Sequence, residues 1–162
     1  MQARLLALTF LALLMGSIAQ AQTTANDRQI AIGDVDHVGL AVLDLDTTMN
    51  FFTQVLGYKL LGKDPSYPSA FVRNEHVMIT LWQVANPDNA VAFDRRKNIG
   101  LHHMALRVGS FEDLDALHEK FKTVEGVKIE FAPEPLGDGP IKHMMIYEPG
   151  GIRLEFIHRP AS

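Results

Sequence analysis

The sequence has no cysteine and a single tryptophan among its 162 residues. Without thiols, disulfides and thiolate metal sites are excluded, and any metal must be held by imidazole or oxygen groups. Basic residues are few and scattered: 15 Lys and Arg stand against 19 Asp and Glu, for a net charge of −4. Nothing gathers into a basic stripe, so nucleic acid is not an expected partner. Long apolar runs are absent, with one exception. Leu5 to Ala19 is shorter than the roughly 20 residues of a membrane span, follows the lone charge of Arg4, and runs into the small pair Ala19 and Ala21. That layout predicts a secretory signal over 1–21, export to a bacterial periplasm, and no stable membrane insertion after cleavage.

What is there after residue 21 is enough chain for one domain with its own core. Residues 22–34 are polar and read as a flexible leader; 35–160 read as a single domain. VDHVGLAV is a strand, and DLDTTMNFFTQVLG a helix capped by Asp44 or Asp46 and stopped by Gly57. YKLLGK, SAFVRN and HVMITLWQV are three short strands. The pattern then restarts. LHHMALRV is a strand, SFEDLDALHEKFKTV a helix capped by Ser110, and VKIEF, KHMMIYE and GIRLEFIH complete the set.

The restart is an internal repeat. At an offset of 66, Asp36-His37-Val38 lies on His102-His103-Met104, and Asp44 on Ser110. At the fourth strand the offset is 75, placing Thr80 on Glu155. Two modules, about 35–97 and 100–160, each follow the order strand, helix, three strands. The expected fold is α+β: two βαβββ modules paired into a curved, incompletely closed mixed sheet with helices outside.

Alternation along a strand assigns faces. Val38, Leu40 and Val42, like Met104, Leu106 and Val108, should pack under the helices. His37, Gly39, Ala41 and His103, Ala105, Arg107 should face a concave surface, and Glu155 joins them from the last strand. Two histidines and a glutamate from three strands form a set that holds a divalent ion with open positions. Fe²⁺, Mn²⁺, Zn²⁺, Ni²⁺ and Co²⁺ all remain open. Taken singly, His37 reads as a core histidine and Glu155 as a partner of Arg153; the equivalent repeat positions of His37 and His103, with Glu155 on the matching late strand, favour the metal. His143 and Tyr147 are candidate catalytic groups, the first as acid or base. Thr80, Trp82 and Arg107 are candidate substrate contacts, Arg107 for a carboxylate.

VDHVGLAV, GLHHMALRV and YEPGGIRLEF resemble the paired-module motifs of the vicinal-oxygen-chelate superfamily, which includes glyoxalases, epimerases, extradiol dioxygenases and bleomycin-binding proteins. The resemblance implies ligands on the first and fourth strands of each module, a small-molecule substrate bound through vicinal oxygens, and dimerisation in many members, which makes a homodimer an expected state. Thr80 stands where glyoxalase I has a glutamate and the epimerase a glutamine, unless Gln83 serves through a one-residue register shift. The extradiol tyrosine falls at Met145. The expected function is a two-His-one-Glu, oxygenase-like metal enzyme. The alternatives are a glyoxalase- or epimerase-type lyase or isomerase, and a metal-free protein that binds a small molecule such as an antibiotic.

Overall fold

A computed structural model describes residues 32–161. The expected signal over 1–21 and most of the leader lie outside the described residues. The first module runs β1 (His37–Val42), α1 (Leu45–Asn50), β2 (Lys59–Asp64), β3 (Ser69–Arg73) and β4 (Met78–Gln83). The second runs β5 (Met104–Arg107), α2 (Phe111–Phe121), β6 (Lys128–Pro135), β7 (Lys142–Tyr147) and β8 (Arg153–His158). Each module is one four-stranded mixed sheet, ordered β1-β4-β3-β2 and β5-β8-β7-β6. The first and fourth strands of each pair in parallel and the others antiparallel. This is the α+β architecture of two βαβββ modules, without a closed barrel.

The helices begin where the repeat places their caps. Asp44 Oδ1 accepts from the Thr47 N–H at 2.7 Å, and Ser110 Oγ from the Asp113 N–H at 3.0 Å. Each satisfies an amide that has no partner within the helix. Beyond Asn50, α1 widens into a π-helical turn, Phe51–Val55, and the chain reverses at Gly57 with φ +76°.

Strand alternation delivers the core. Leu40, Val42, Ile79 and Leu81 are buried from the first sheet; Met144, Ile146, Leu154 and Phe156 are buried from the second. One cluster joins the modules through the helices, with Phe51 stacked on Phe121 at 6.0 Å and Phe121 against Phe156 at 5.0 Å. Each such ring or branched side chain contributes about 1.5–3 kcal/mol by leaving water. The opposite strand face stays open, and His37, Ala41, Ala105 and Arg107 are exposed on it.

Register verifies the repeat alignment. Gly39 pairs with Thr80 in the first sheet, and its equivalent Ala105 pairs with Glu155 in the second. The β1–β4 ladder has no slip, so Gln83 sits opposite Val42 on the helix side. There its side-chain oxygen accepts from the Leu45 N–H at 3.0 Å. The one-residue register shift through which Gln83 could serve does not occur, because such a slip would turn the buried face outward.

Candidate metal centre and the adjoining cavity

Glu155 is the focus of the second module's open face. It is 7% exposed, and its two oxygens have different neighbours. Oε1 accepts from His143 Nδ1 at 2.5 Å; Oε2 lies 3.0 Å from His103 Nε2. His143 reaches it from β7, one strand over, with its ring against Phe131. A buried carboxylate demands such partners, since an uncompensated charge away from water is costly.

His103 sits just before β5, and its other nitrogen is held in turn. His103 Nδ1 lies 2.9 Å from His102 Nδ1, which Arg153 Nη1 approaches at 3.5 Å. One Nδ1 of this pair donates to the other, so the two rings hold each other in place. The His102 pKa is lowered, by desolvation first and then by Arg153, His103 and Arg95. His103 Nε2 and Glu155 Oε2 thus face each other as an imidazole nitrogen and a carboxylate oxygen, the donor types that suit a divalent ion.

His37 is prepared in the same way. Asp36 Oδ1 accepts from His37 Nδ1 at 2.7 Å, leaving Nε2 free to ligate. Asp36 and His102 occupy the same repeat position, so both first-strand histidines are oriented by the residue before them. One chain does not assemble the full set, however: among the described residues no three His, Asp or Glu side chains are grouped as a metal site. The three expected ligands are thus two together and one apart.

The other expected site residues divide. Thr80 is buried, and its Oγ1 accepts from Trp82 Nε1 at 2.8 Å. Trp82 packs on Tyr67 and Phe71, so aromatic rings fill the space that a first-module carboxylate would occupy. A Cβ on Gly39 would come within 3.3 Å of Thr80 Oγ1. His143, expected as an acid or base, has its Nδ1 committed to Glu155 and acts as a support for that carboxylate. Arg153 pairs with Glu130 at 2.6 Å rather than with Glu155.

A cavity of about 530 Å³ lies beside this centre. Gly39 and Ala41 of β1 form one wall, residues 92–95 and 99–102 of the connecting segment a second, and Tyr147 and Arg153 a third. Trp82 does not line it. Arg107 does not either; it borders a second recess with His76 and Val77, so it is separated from Tyr147. Arg95, from the connecting segment, donates to Tyr147 Oη at 2.9 Å and to Glu130 at 3.0 Å. The Arg153 hydrogen bond, followed by the charges of Arg153, Arg95 and Lys128, outweighs desolvation and lowers the Glu130 pKa. Arg95 and Glu130 carry no sequence signal, because their partnership depends on a loop crossing a bulged strand.

With the geometry in hand, comparisons with known proteins give consistent results. The sequence model of the Glyoxalase/Bleomycin resistance protein/Dioxygenase superfamily matches residues 34–156. A 2-epi-5-epi-valiolone epimerase from Actinomyces sp. is 32% identical over 150 residues, covering 79% of this chain and 80% of that protein. A glyoxylase/bleomycin resistance protein/dioxygenase domain from Frankia sp. EAN1pec superimposes with a TM-score of 0.69 at 24% identity, over 82% of this chain and 96% of that one. Lactoylglutathione lyase from Agrobacterium tumefaciens shares the fold at a TM-score of 0.60 and 19% identity, over 79% and 95%.

Proposed function

The chain belongs to the Glyoxalase/Bleomycin resistance protein/Dioxygenase superfamily, and we propose that it is a divalent-metal-dependent enzyme acting on a small oxygenated organic molecule. The observation that carries this reading is the approach of His103 Nε2 to the buried Glu155 Oε2, an imidazole and a carboxylate 3.0 Å apart on the open face. His103 and Glu155 would hold the ion. His37, ready at Nε2 but apart from them in its own chain, would be the third ligand, contributed by a second copy in a homodimer. Bound there, a divalent ion supplies Lewis-acid polarisation of a substrate oxygen. His143 fixes the orientation of Glu155, and Asp36 and His102 fix the rings of the two histidines. The export layout of residues 1–21 supports a periplasmic location for the enzyme.

For the reaction class, the 32% identical relative is named as an epimerase. That favours proton exchange at a carbon next to a carbonyl over the oxygenase-like chemistry suggested by the His-His-Glu set alone. Two measurements test the proposal. Metal analysis of the purified protein should find about one divalent ion per chain, lost in Glu155→Ala and His103→Ala; a metal-free wild type overturns it. Incubation with 2-epi-5-epi-valiolone in deuterated water should place deuterium beside the ketone. Consumption of O₂ without deuterium exchange would assign the oxygenase class instead.

A further inference from the structure

The cavity beside Glu155 has a charge imbalance that the metal centre does not use. Arg95 and Arg153 both line it, with side chains only 25% and 11% exposed. Their shared acid, Glu130, is not among the lining residues; it lies behind them. Lys128 adds a third cation, its Nζ 5.7 Å from the centre of the Tyr147 ring. Three cations therefore surround one carboxylate. The other acid at the wall, Asp94, is turned toward Lys97 at 3.2 Å and the Arg96 N–H at 2.9 Å.

Hydrogen bonding shows the same surplus. A guanidinium has five N–H donors, and here each of the two arginines uses two. Arg95 gives one to Tyr147 and one to Glu130; Arg153 gives one to Glu130 and directs one at His102. Among the described residues the remaining donors meet no acceptor, and their nitrogens are open to solvent, where a ligand can reach them. Planar forks in this state match the oxygens of a carboxylate or phosphate. The rest of the wall is apolar, from Phe93, Ile99, Leu101 and Ile152.

We propose that this cavity binds an organic anion, its carboxylate or phosphate held by Arg95 and Arg153 and its carbon body against the apolar wall. Arg153 precedes Glu155 by two residues on β8, so both side chains leave the same face about 7 Å apart. A molecule with one oxygen at the metal centre could place its anionic group on the arginines. The identification of this anion as the substrate rests on the metal-enzyme reading; the binding of the anion does not.

The experiment uses the full chain freed of metal with EDTA, so that it is independent of the centre at Glu155. Lactate, glycerol 3-phosphate and neutral glycerol are titrated calorimetrically. At least one of the two anions should bind saturably, with glycerol silent, and which of them binds separates the carboxylate from the phosphate. Arg95→Gln, in the connecting segment outside the sheets, should weaken that binding tenfold or more, and Arg153→Gln should do the same. Glu155→Ala should leave it within about twofold while abolishing metal uptake, so the two readings fail separately. Absence of binding by both anions, equal binding of glycerol, or unchanged affinity in both arginine variants overturns the proposal.

Discussion

Thr80 and Glu155 stand at the same station of the same strand in two copies of one module, each opposite a small residue of a parallel first strand. In the first module the station is neutral, hydrogen-bonded by Trp82 and walled by Tyr67 and Phe71. In the second it is a carboxylate fixed between two imidazoles. The backbone is shared, so the difference lies entirely in side chains. A βαβββ unit supplies a place for a ligand, while the chemistry depends on whether a neighbouring strand supports a charge there or fills the space with rings. The repeat did conserve one device, the residue that orients each first-strand histidine.

The strongest test of that contrast is paired substitution. Glu155→Ala should reduce divalent-metal affinity by well over 100-fold, beyond what loss of a supporting partner costs. Thr80→Ala should leave metal affinity unchanged in the same calorimetric assay. Equal effects of the two would erase the asymmetry. Next in size, His143→Ala should weaken metal binding by about 10–100-fold, the range for a residue that orients a ligand. Circular dichroism should show the fold of this variant intact.

A third test addresses the β7–β8 turn, which packs against α1 of the other module. Glu148, 1% exposed, accepts from the Gly150 and Ile152 amides at 2.9 Å and from Thr48 Oγ1 of α1 at 3.3 Å. A Cβ at Gly150 would lie 2.4 Å from Thr48 Oγ1 and 2.7 Å from Glu148 Oε1. Gly150→Ala should cost about 1–3 kcal/mol in denaturant unfolding. Gly62→Ala in the first module, with nothing within 4 Å, should have little steric cost.

Glu148 also has a pH signature. Desolvation is the largest influence on it and raises its pKa above 4.5, despite the hydrogen bonds that oppose this. The folded state then holds the proton more tightly than the unfolded state. Its contribution is complete below the unfolded value and is lost as pH rises through the folded one. Denaturation from pH 4 to 7 should show wild type losing stability relative to Glu148→Gln as pH increases; the opposite slope refutes the assignment. The smallest expected effect is that of Trp82→Phe, which removes the bond to Thr80. It should cost about 1 kcal/mol and leave metal binding untouched.

Much of the fold was legible because it rests on local pattern. The period of two assigned the buried faces of β1, β4 and β8, and Asp44 and Ser110 marked both helix starts. The offset of 75 matched Thr80 to Glu155 before any pairing was known. The repeat singled out His37 and His103 at equivalent positions, with Glu155 on the matching late strand, and the structure brings His103 and Glu155 into contact. The contact of His143 Nδ1 with Glu155 was not legible, since strand alternation reveals a face and not the atom that a side chain will bind. Arg107 lay on the expected face yet beside a different recess. The Arg95–Glu130–Arg153 cluster was missed altogether, because it joins a loop, a bulged strand and a distant strand end.

The sequence by itself determined which residues are buried, where the helices begin, and that two modules share one plan, because these depend on spacing along a few turns or strands. Only the tertiary structure decided which nitrogen of His37 is free and what fills the place of a carboxylate at Thr80. It alone separated His37 from His103 and Glu155 within one chain, and gathered Arg95 and Arg153 at a common cavity. Those outcomes depend on contacts of a few ångströms between residues tens of positions apart, which no local periodicity encodes.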